Sequence, residues 1–328
     1  MNLKLSNDIK AEAQRLGFFA CGIARAERVD KATQKHVRSW LGDKKYAGME
    51  YMNNNTEKRL DPRLLMPGLK SIVSFAINYT PHSFIPEDEY QLAAYAYGLD
   101  YHDVVKAKLR QLAFNLHFVP AEPEGEPILQ TEQPRFRIFC DTAPVLERYW
   151  AAKAGLGWIG KNRQLIIPKA GSMFFLAELF LDVELEYDEP MESKCGRCRL
   201  CLDACPTKAI KENTEMDAAL CISYQTIENR NDISTEVASK LYNNIYGCDI
   251  CLRVCPWNRK STPTTIEEFY PKAELLTMTK ENWSNLTIEQ YQKLFKGSAV
   301  KRAKYLGLMR NIKTIEQYEQ CRNEERTP

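Results

Sequence analysis

The chain has 328 residues, 44% of them hydrophobic, and a net charge of +2; it is long enough for two or three domains and too near neutral to bind nucleic acid through overall charge. Its longest apolar stretch, Met173 to Leu181, is nine residues and contains Glu178, far short of the roughly 20 that span a bilayer. The opening MNLKLSNDIK has no apolar core of a secretion signal, so a cytoplasmic monomer without a membrane partner is expected.

In chain order, Ser6 or Asn7 is placed to cap a helix that runs to about Leu16 and is ended by Gly17, and FFACGIA then reads as a buried strand. A helix is predicted over Ala32 to Leu41, a turn-rich link over Leu64 to Leu69 and a central strand over Ser71 to Tyr79. After the Pro-bounded PHSFIP, the segment Tyr101 to His117 carries Val104, Val105, Leu109, Leu112, Ala113 and Leu116 at helical spacing and should cover the sheet. AEPEGEP reads as a polar surface loop and Arg135 to Cys140 as a strand. Pro144 to Ala154 reads as a helix stopped by Gly155, and MFFLAELFLDVEL as a strand or strand pair. Strands and helices are thus mixed over residues 1–185, an α+β arrangement. Farther on, Trp283 to Arg310 reads as two short helices before a polar end. From Tyr291 to Arg310 there are six basic residues (Lys293, Lys296, Lys301, Arg302, Lys304, Arg310) and no acidic one. That run suits a solvated helix face or a phosphate-binding surface, and composition alone favours the first.

Eight of the eleven cysteines lie between Cys195 and Cys255. They form Cys195-x2-Cys198-x2-Cys201-x3-Cys205-Pro206 and Cys248-x2-Cys251-x3-Cys255-Pro256, with Cys221 between. This is the spacing of a two-cluster bacterial ferredoxin-like module. Thiolates are the soft ligands that iron-sulfur clusters need, and the fourth cysteine of such a run serves the other cluster. Crosswise assignment gives Cys195, Cys198, Cys201 and Cys255 to one 4Fe-4S cluster. Cys205, Cys248 and Cys251 go to the second, with Cys221 in place of the missing middle cysteine. Zinc knots rarely add a third cysteine at this spacing, and disulfides require an oxidising compartment. Cys21, Cys140 and Cys321 remain as small buried or inert thiols.

Clusters carry electrons, and the residues ahead of them should hold the destination. The best candidate is CDTAPVLERYWAAKAGLGWIGKN, residues 140–162. Asp141 falls at a strand-to-helix junction, and Gly155, Gly157 and Gly160 permit close approach of the backbone to a bulky ligand. A carboxyl in a partly dry cleft can have its pKa raised and serve as a general acid. Asp141 or Thr142 equally suits a helix N-cap, with Pro144 following and Glu147 in the first turns. The residues alone leave both open.

This segment, followed by the cysteine runs, resembles the epoxyqueuosine reductase family, which completes queuosine in tRNA. The resemblance extends through RLDPRLLMPGLKSIV (59–73), YAYGLDYHDVVK (95–106) and GSAVKRAKYLGLMRN (297–311), and so covers most of the chain. It implies a nitroreductase-like cobalamin-binding domain over 1–185, related to reductive dehalogenases. A ferredoxin-like domain over 186–262 with two 4Fe-4S clusters and a short helical tRNA-contacting region over 263–328 would follow. The implied chemistry passes electrons from a low-potential donor such as ferredoxin or flavodoxin through the clusters to cobalamin. Cobalt then reduces the epoxide carbon at the wobble nucleotide, and Asp141 protonates the opened oxygen. The implied cobalamin contacts are Arg59, His102, Asp141, Lys161, Asn162 and Ser172, with His102 touching the corrin edge rather than ligating cobalt. Many members continue into HEAT-like repeats, whereas 18 residues follow Arg310 here. That leaves Lys293 to Arg310 as the principal phosphate-contacting candidate. Two other readings compete: a dehalogenase-like cobalamin and iron-sulfur reductase of a small molecule, and a non-catalytic electron-transfer ferredoxin subunit. The absence of a twin-arginine signal and the basic run argue against the first.

Overall fold

The computed structural model describes residues 2–122, 131–212 and 215–324. Nine strands lie among them: β1 Ala20–Arg25, β2 Ser71–Asn78, β3 Gln91–Leu92, β4 Val119–Pro120, β5 Arg135–Phe139, β6 Trp158–Ile159, β7 Leu165–Ile166, β8 Phe174–Leu181 and β9 Asn244–Tyr246. The main sheet has the order β1-β2-β8-β5-β4 and is antiparallel except at its β4–β5 edge. All eight residues of β2 are buried, because strands flank it on both sides and packed layers cover both faces.

Alternation along β2 and β8 divides two apolar cores. Val73, Phe75 and Ile77 share one with Phe175, Ala177 and Leu179, under Val105, Leu109 and Leu112 of the helix Tyr101–Asn115. Ile72, Ala76 and Phe180 face the other, under Trp150 and Ala151 of the helix Glu147–Lys153. Ser74 and Glu178, Cα partners across the two strands, therefore stand on this second face. The first core continues into the C-terminal helices through Trp283, Leu308, Ile312 and Ile315. β3 pairs in parallel with β9, and Asp249 Oδ2 accepts the Ala94 N–H at 2.7 Å, which ties the cysteine-rich region to the N-terminal half.

Three element boundaries differ from expectation. The first helix, Leu3–Arg15, starts ahead of Ser6: Asn2 caps it by accepting the Leu5 N–H at 3.0 Å, and Ser6 is buried within it. The helix after Asp141 begins at Glu147 rather than Pro144 and has no side-chain cap. The C-terminal part holds Lys280–Ser284, Ile288–Leu294 and a 21-residue helix, Lys304–Glu324, in place of two short helices and a polar end. Leu308, Ile312 and Ile315 anchor that last helix at i, i+4 and i+7, a stripe masked by the polar residues around it. From residue 123 onward, the loop expected over 121–127 lies outside the described residues. No helix among the described residues is long and apolar enough to cross a membrane.

Candidate functional site

β5 ends at Phe139, and Asp141 follows with φ +58°, a left-handed backbone that aspartate tolerates better than most residues. With no side chain capping the Glu147–Lys153 helix, the capping role fails. The Asp141 carboxylate instead accepts from the Tyr101 hydroxyl at 2.5 Å and lies 3.3 Å from His102 Nε2. Tyr101 and His102 open the next-layer helix, which Asp100 caps; Asp100 Oδ1 also meets His102 Nδ1 at 2.6 Å. The result is a carboxylate–imidazole–carboxylate line. Tyr101 is held by stacking on Phe175, with ring centroids 4.3 Å apart.

The Asp141 side chain is 58% exposed, although enough protein surrounds it for burial to act on its carboxyl. Burial there raises its pKa, but hydrogen bonds from His102 and Tyr101 prevail and hold it below the usual carboxylate range, opposite to the raised acid expected from the sequence. Burial by itself would lower His102; its bonds to Asp100 and Asp141 overcome this and push it up to about 9. Glu147, whose carboxylate accepts the Asp141 N–H, is pushed up to about 8 by burial and by the charge of Asp141. At neutral pH the protons of this site therefore rest on His102 and Glu147. Arg59 is 8% exposed, its Nε has no protein partner, and it neighbours Tyr51. Tyr51 in turn feels Asp141 and lies 5.9 Å from the Arg302 guanidinium carbon. Tyr51 is thus a common neighbour of Arg59, Asp141 and Arg302.

The cysteine runs fold as two loop–helix units. The short helices Leu200–Ala204 and Ile250–Arg253 carry Cys201 and Cys251, and Cys221 immediately precedes the helix Ile222–Ile227. The thiols separate into two quartets. Burial raises Cys201, and its thiol neighbours are Cys255, Cys195 and Cys198; burial likewise raises Cys251, whose thiol neighbours are Cys248, Cys221 and Cys205. A cavity of about 340 Å³ opens at the first quartet, lined by all four of its cysteines with Lys161 and Trp257. Among the described residues no three Cys, His, Asp or Glu side chains close on a single-ion site. Four thiolates in each quartet are the donor set that a 4Fe-4S cluster takes. The β6–β7 hairpin leans on this loop: Trp158 Nε1 donates to Cys195 Sγ at 3.4 Å.

Lys161, Asn162 and Ser172 stand on the cluster side, apart from the Asp141 line. Lys161 Nζ donates to the carbonyls of Gly196 and Cys198 at 2.8 and 2.9 Å. Asn162 Nδ2 donates to Cys251 O at 3.4 Å, and the Ser172 N–H donates to Asn258 Oδ1 at 2.6 Å. Tyr51 and Tyr101 escaped the sequence reading as site residues, and Glu147 entered it only as a first-turn acid of a helix; Tyr101 directly precedes His102. In the basic run, Arg302 pairs with Glu228 and Arg310 donates to the carbonyls of Gln225, Asn229 and Asn231. Lys293, Lys296, Lys301 and Lys304 are exposed.

Two families match within the chain: the 4Fe-4S double cluster binding domain over residues 194–258, and epoxyqueuosine reductase QueG, DUF1730, over 59–142. The epoxyqueuosine reductase of Cellulophaga algicola is 45% identical over 309 residues, 94% of this chain and 97% of that protein. That of Escherichia coli is 38% identical over 94% of this chain and 80% of its own length. Among solved structures, epoxyqueuosine reductase from Streptococcus thermophilus matches with a TM-score of 0.83 at 30% identity, covering 98% of this chain and 83% of that one. An epoxyqueuosine reductase with an epoxyqueuosine-modified tRNA-Tyr stem loop matches with a TM-score of 0.84 at 27% identity, covering 96% and 81%. The Bacillus subtilis reductase, with its catalytic aspartate loop swung out of the active site, matches with a TM-score of 0.84 at 26% identity, covering 96% and 82%.

Proposed function

The chain belongs to the epoxyqueuosine reductase family, and on that premise we propose that it converts epoxyqueuosine to queuosine at the wobble position of tRNA, with cobalamin and two 4Fe-4S clusters as its cofactors. The observation that carries this reading is the stretch 140–162. One end presents Asp141 to solvent, while Trp158 and Lys161 at the other end grip the loop of Cys195 and Cys198. Proton delivery and electron arrival are thereby built on one short segment.

Bound clusters supply single electrons, and bound cobalamin supplies the low-valent cobalt that cleaves the carbon–oxygen bond. Arg59, buried with an unpaired Nε, suits the phosphate and amide groups that cobalamin carries. His102 is placed for its edge, and Lys161, Asn162 and Ser172 for contacts on the cluster side. Asp141 relays a proton to the oxygen as the epoxide opens, drawn from the neighbours that hold it at neutral pH; Tyr101 and His102 aim its carboxyl and stabilise its charge. The mixed sheet supports a nitroreductase-like domain over 1–185 with the division at 186 and 263. The exposed Lys293, Lys296, Lys301 and Lys304 suit tRNA phosphates, and a low-potential ferredoxin or flavodoxin suits the clusters as donor to a cytoplasmic monomer. Relatives 38–45% identical over 94% of the chain favour this activity over small-molecule dehalogenation or bare electron carriage.

The test is anaerobic incubation of the reconstituted protein, cobalamin and a low-potential reductant with epoxyqueuosine tRNA, read by nucleoside mass spectrometry. Loss of one oxygen atom is expected. No conversion with both cofactor types bound would reject the activity.

A further inference from the structure

Reducing an epoxide to an alkene consumes two electrons and two protons and releases water. One aspartate must therefore be recharged within a turnover. The sheet behind Asp141 holds the groups that can do this. Glu178 of β8 is 0% exposed, and neither of its carboxyl oxygens has a protein partner. Its cross-strand partner Ser74 carries a buried hydroxyl that is likewise unpartnered. On the helix above, Glu147 shares the sheet-facing side with Trp150, Ala151 and Ala154 at i+3, i+4 and i+7. Trp150 Nε1 is also buried without a partner. Glu147 accepts the backbone N–H of Asp141, which holds its carboxyl beside that residue, near enough for the Asp141 charge to act on it.

A lone carboxylate in such surroundings is far costlier than the neutral acid. Burial, with the charges of Glu147 and Asp141 added, holds Glu178 well above the usual carboxylate range. The other groups facing the line are His102, Arg148 on the helix of Glu147, Lys106 across from Thr142, and the buried Cys140 thiol. We propose that Glu178 and Glu147 form a proton line that feeds Asp141 from the sheet side. This rests on the reductase reading above.

A turn of the Glu147 side chain from the Asp141 N–H toward the Asp141 carboxylate carries its proton across and on to the oxygen leaving carbon. The Glu178 proton then moves to Glu147 and along the same route, completing the water. The line we propose includes water bound at the unpaired atoms of Ser74 and Glu178, which face the same side of the sheet as Glu147. Both electrons come from the clusters, and the two acids refill from solvent through the exposed Asp141 once product leaves.

Infrared difference titration of the wild type, Glu147→Gln and Glu178→Gln tests the line without substrate. Each glutamine preserves shape and hydrogen-bond acceptor, and unchanged iron content checks the fold. A carboxylic-acid C=O band at neutral pH is expected in the wild type, weaker in each variant, with the Glu147 component titrating near pH 8. In single turnover Glu147→Gln should slow product formation roughly tenfold or more and lose the alkaline limb near that pH. Absence of the acid band, or a Glu147→Gln enzyme with wild-type rate and pH profile, overturns the line. A wild type that shows the band but converts no tRNA would instead overturn the reductase reading.

Discussion

Asp141 sits in a left-handed turn, accepts from a tyrosine and an imidazole, and keeps its carboxyl open to solvent, a combination that serves chemistry better than helix capping. Asp141→Asn keeps the shape but cannot release a proton. Turnover should fall roughly 10²–10⁴-fold while iron and cobalamin contents hold; an active Asn variant would place the acid elsewhere. His102 has a sign of its own. Its pKa rises on folding from 6.5 to about 9, so its ion pairs stabilise fully below the lower value and fade as pH climbs through the upper one. The difference in melting temperature between wild type and His102→Gln should therefore shrink in alkali and persist in mild acid; growth in alkali would contradict the pairing. Asp141 and His102 were legible because they sit in motifs. Glu178 was visible too, an acid inside MFFLAELFL, yet its partner could be seen only once β2 and β8 were in register. Tyr101 was hidden, because its bond to Asp141 joins residues 40 apart and no periodicity records that.

Short helices and tight loops hold the cysteines, and their thiols gather into two groups of neighbours, around Cys201 and around Cys251. Cys221 has no place in either run, yet it stands before its own helix beside Cys205. Cys221→Ala should cut iron from about eight to about four per chain, counted chemically and by EPR; unchanged iron would remove Cys221 from the ligand set. The Trp158 N–H on Cys195 Sγ stabilises thiolate charge, which grows on reduction. Trp158→Phe should shift the first cluster's midpoint to lower potential in an EPR-monitored redox titration; no shift would make the contact merely steric. Boundaries were harder to read than elements. Pro144 suggested a helix start, but the chain stays irregular until Glu147, since Asp141 takes its bonds from Tyr101 and His102.

Across the whole molecule, the basic run divides between structure and surface. Arg310 spends its donors on backbone carbonyls and Arg302 on Glu228, so on the function proposed above phosphate contact falls to the lysines. Lys301→Ala with Lys304→Ala should weaken tRNA binding and flatten its salt dependence by roughly 0.7–0.9 in log–log slope per lost contact; an unchanged slope would put the tRNA face elsewhere. The composition gave no hint of this division, because an arginine that caps carbonyls and a lysine that meets solvent look alike in sequence.

The parallel pairing of β3 with β9, with the Asp249 to Ala94 bond beside it, closes a loop across 155 residues. Contacts so distant along the chain give high contact order, and their loop-closure entropy must be met before the cysteine loops have a settled frame. The cysteine loops are therefore expected to settle late in folding. Iron loading belongs after the N-terminal half has formed, and a separately expressed 186–262 segment would lack the strand that closes it.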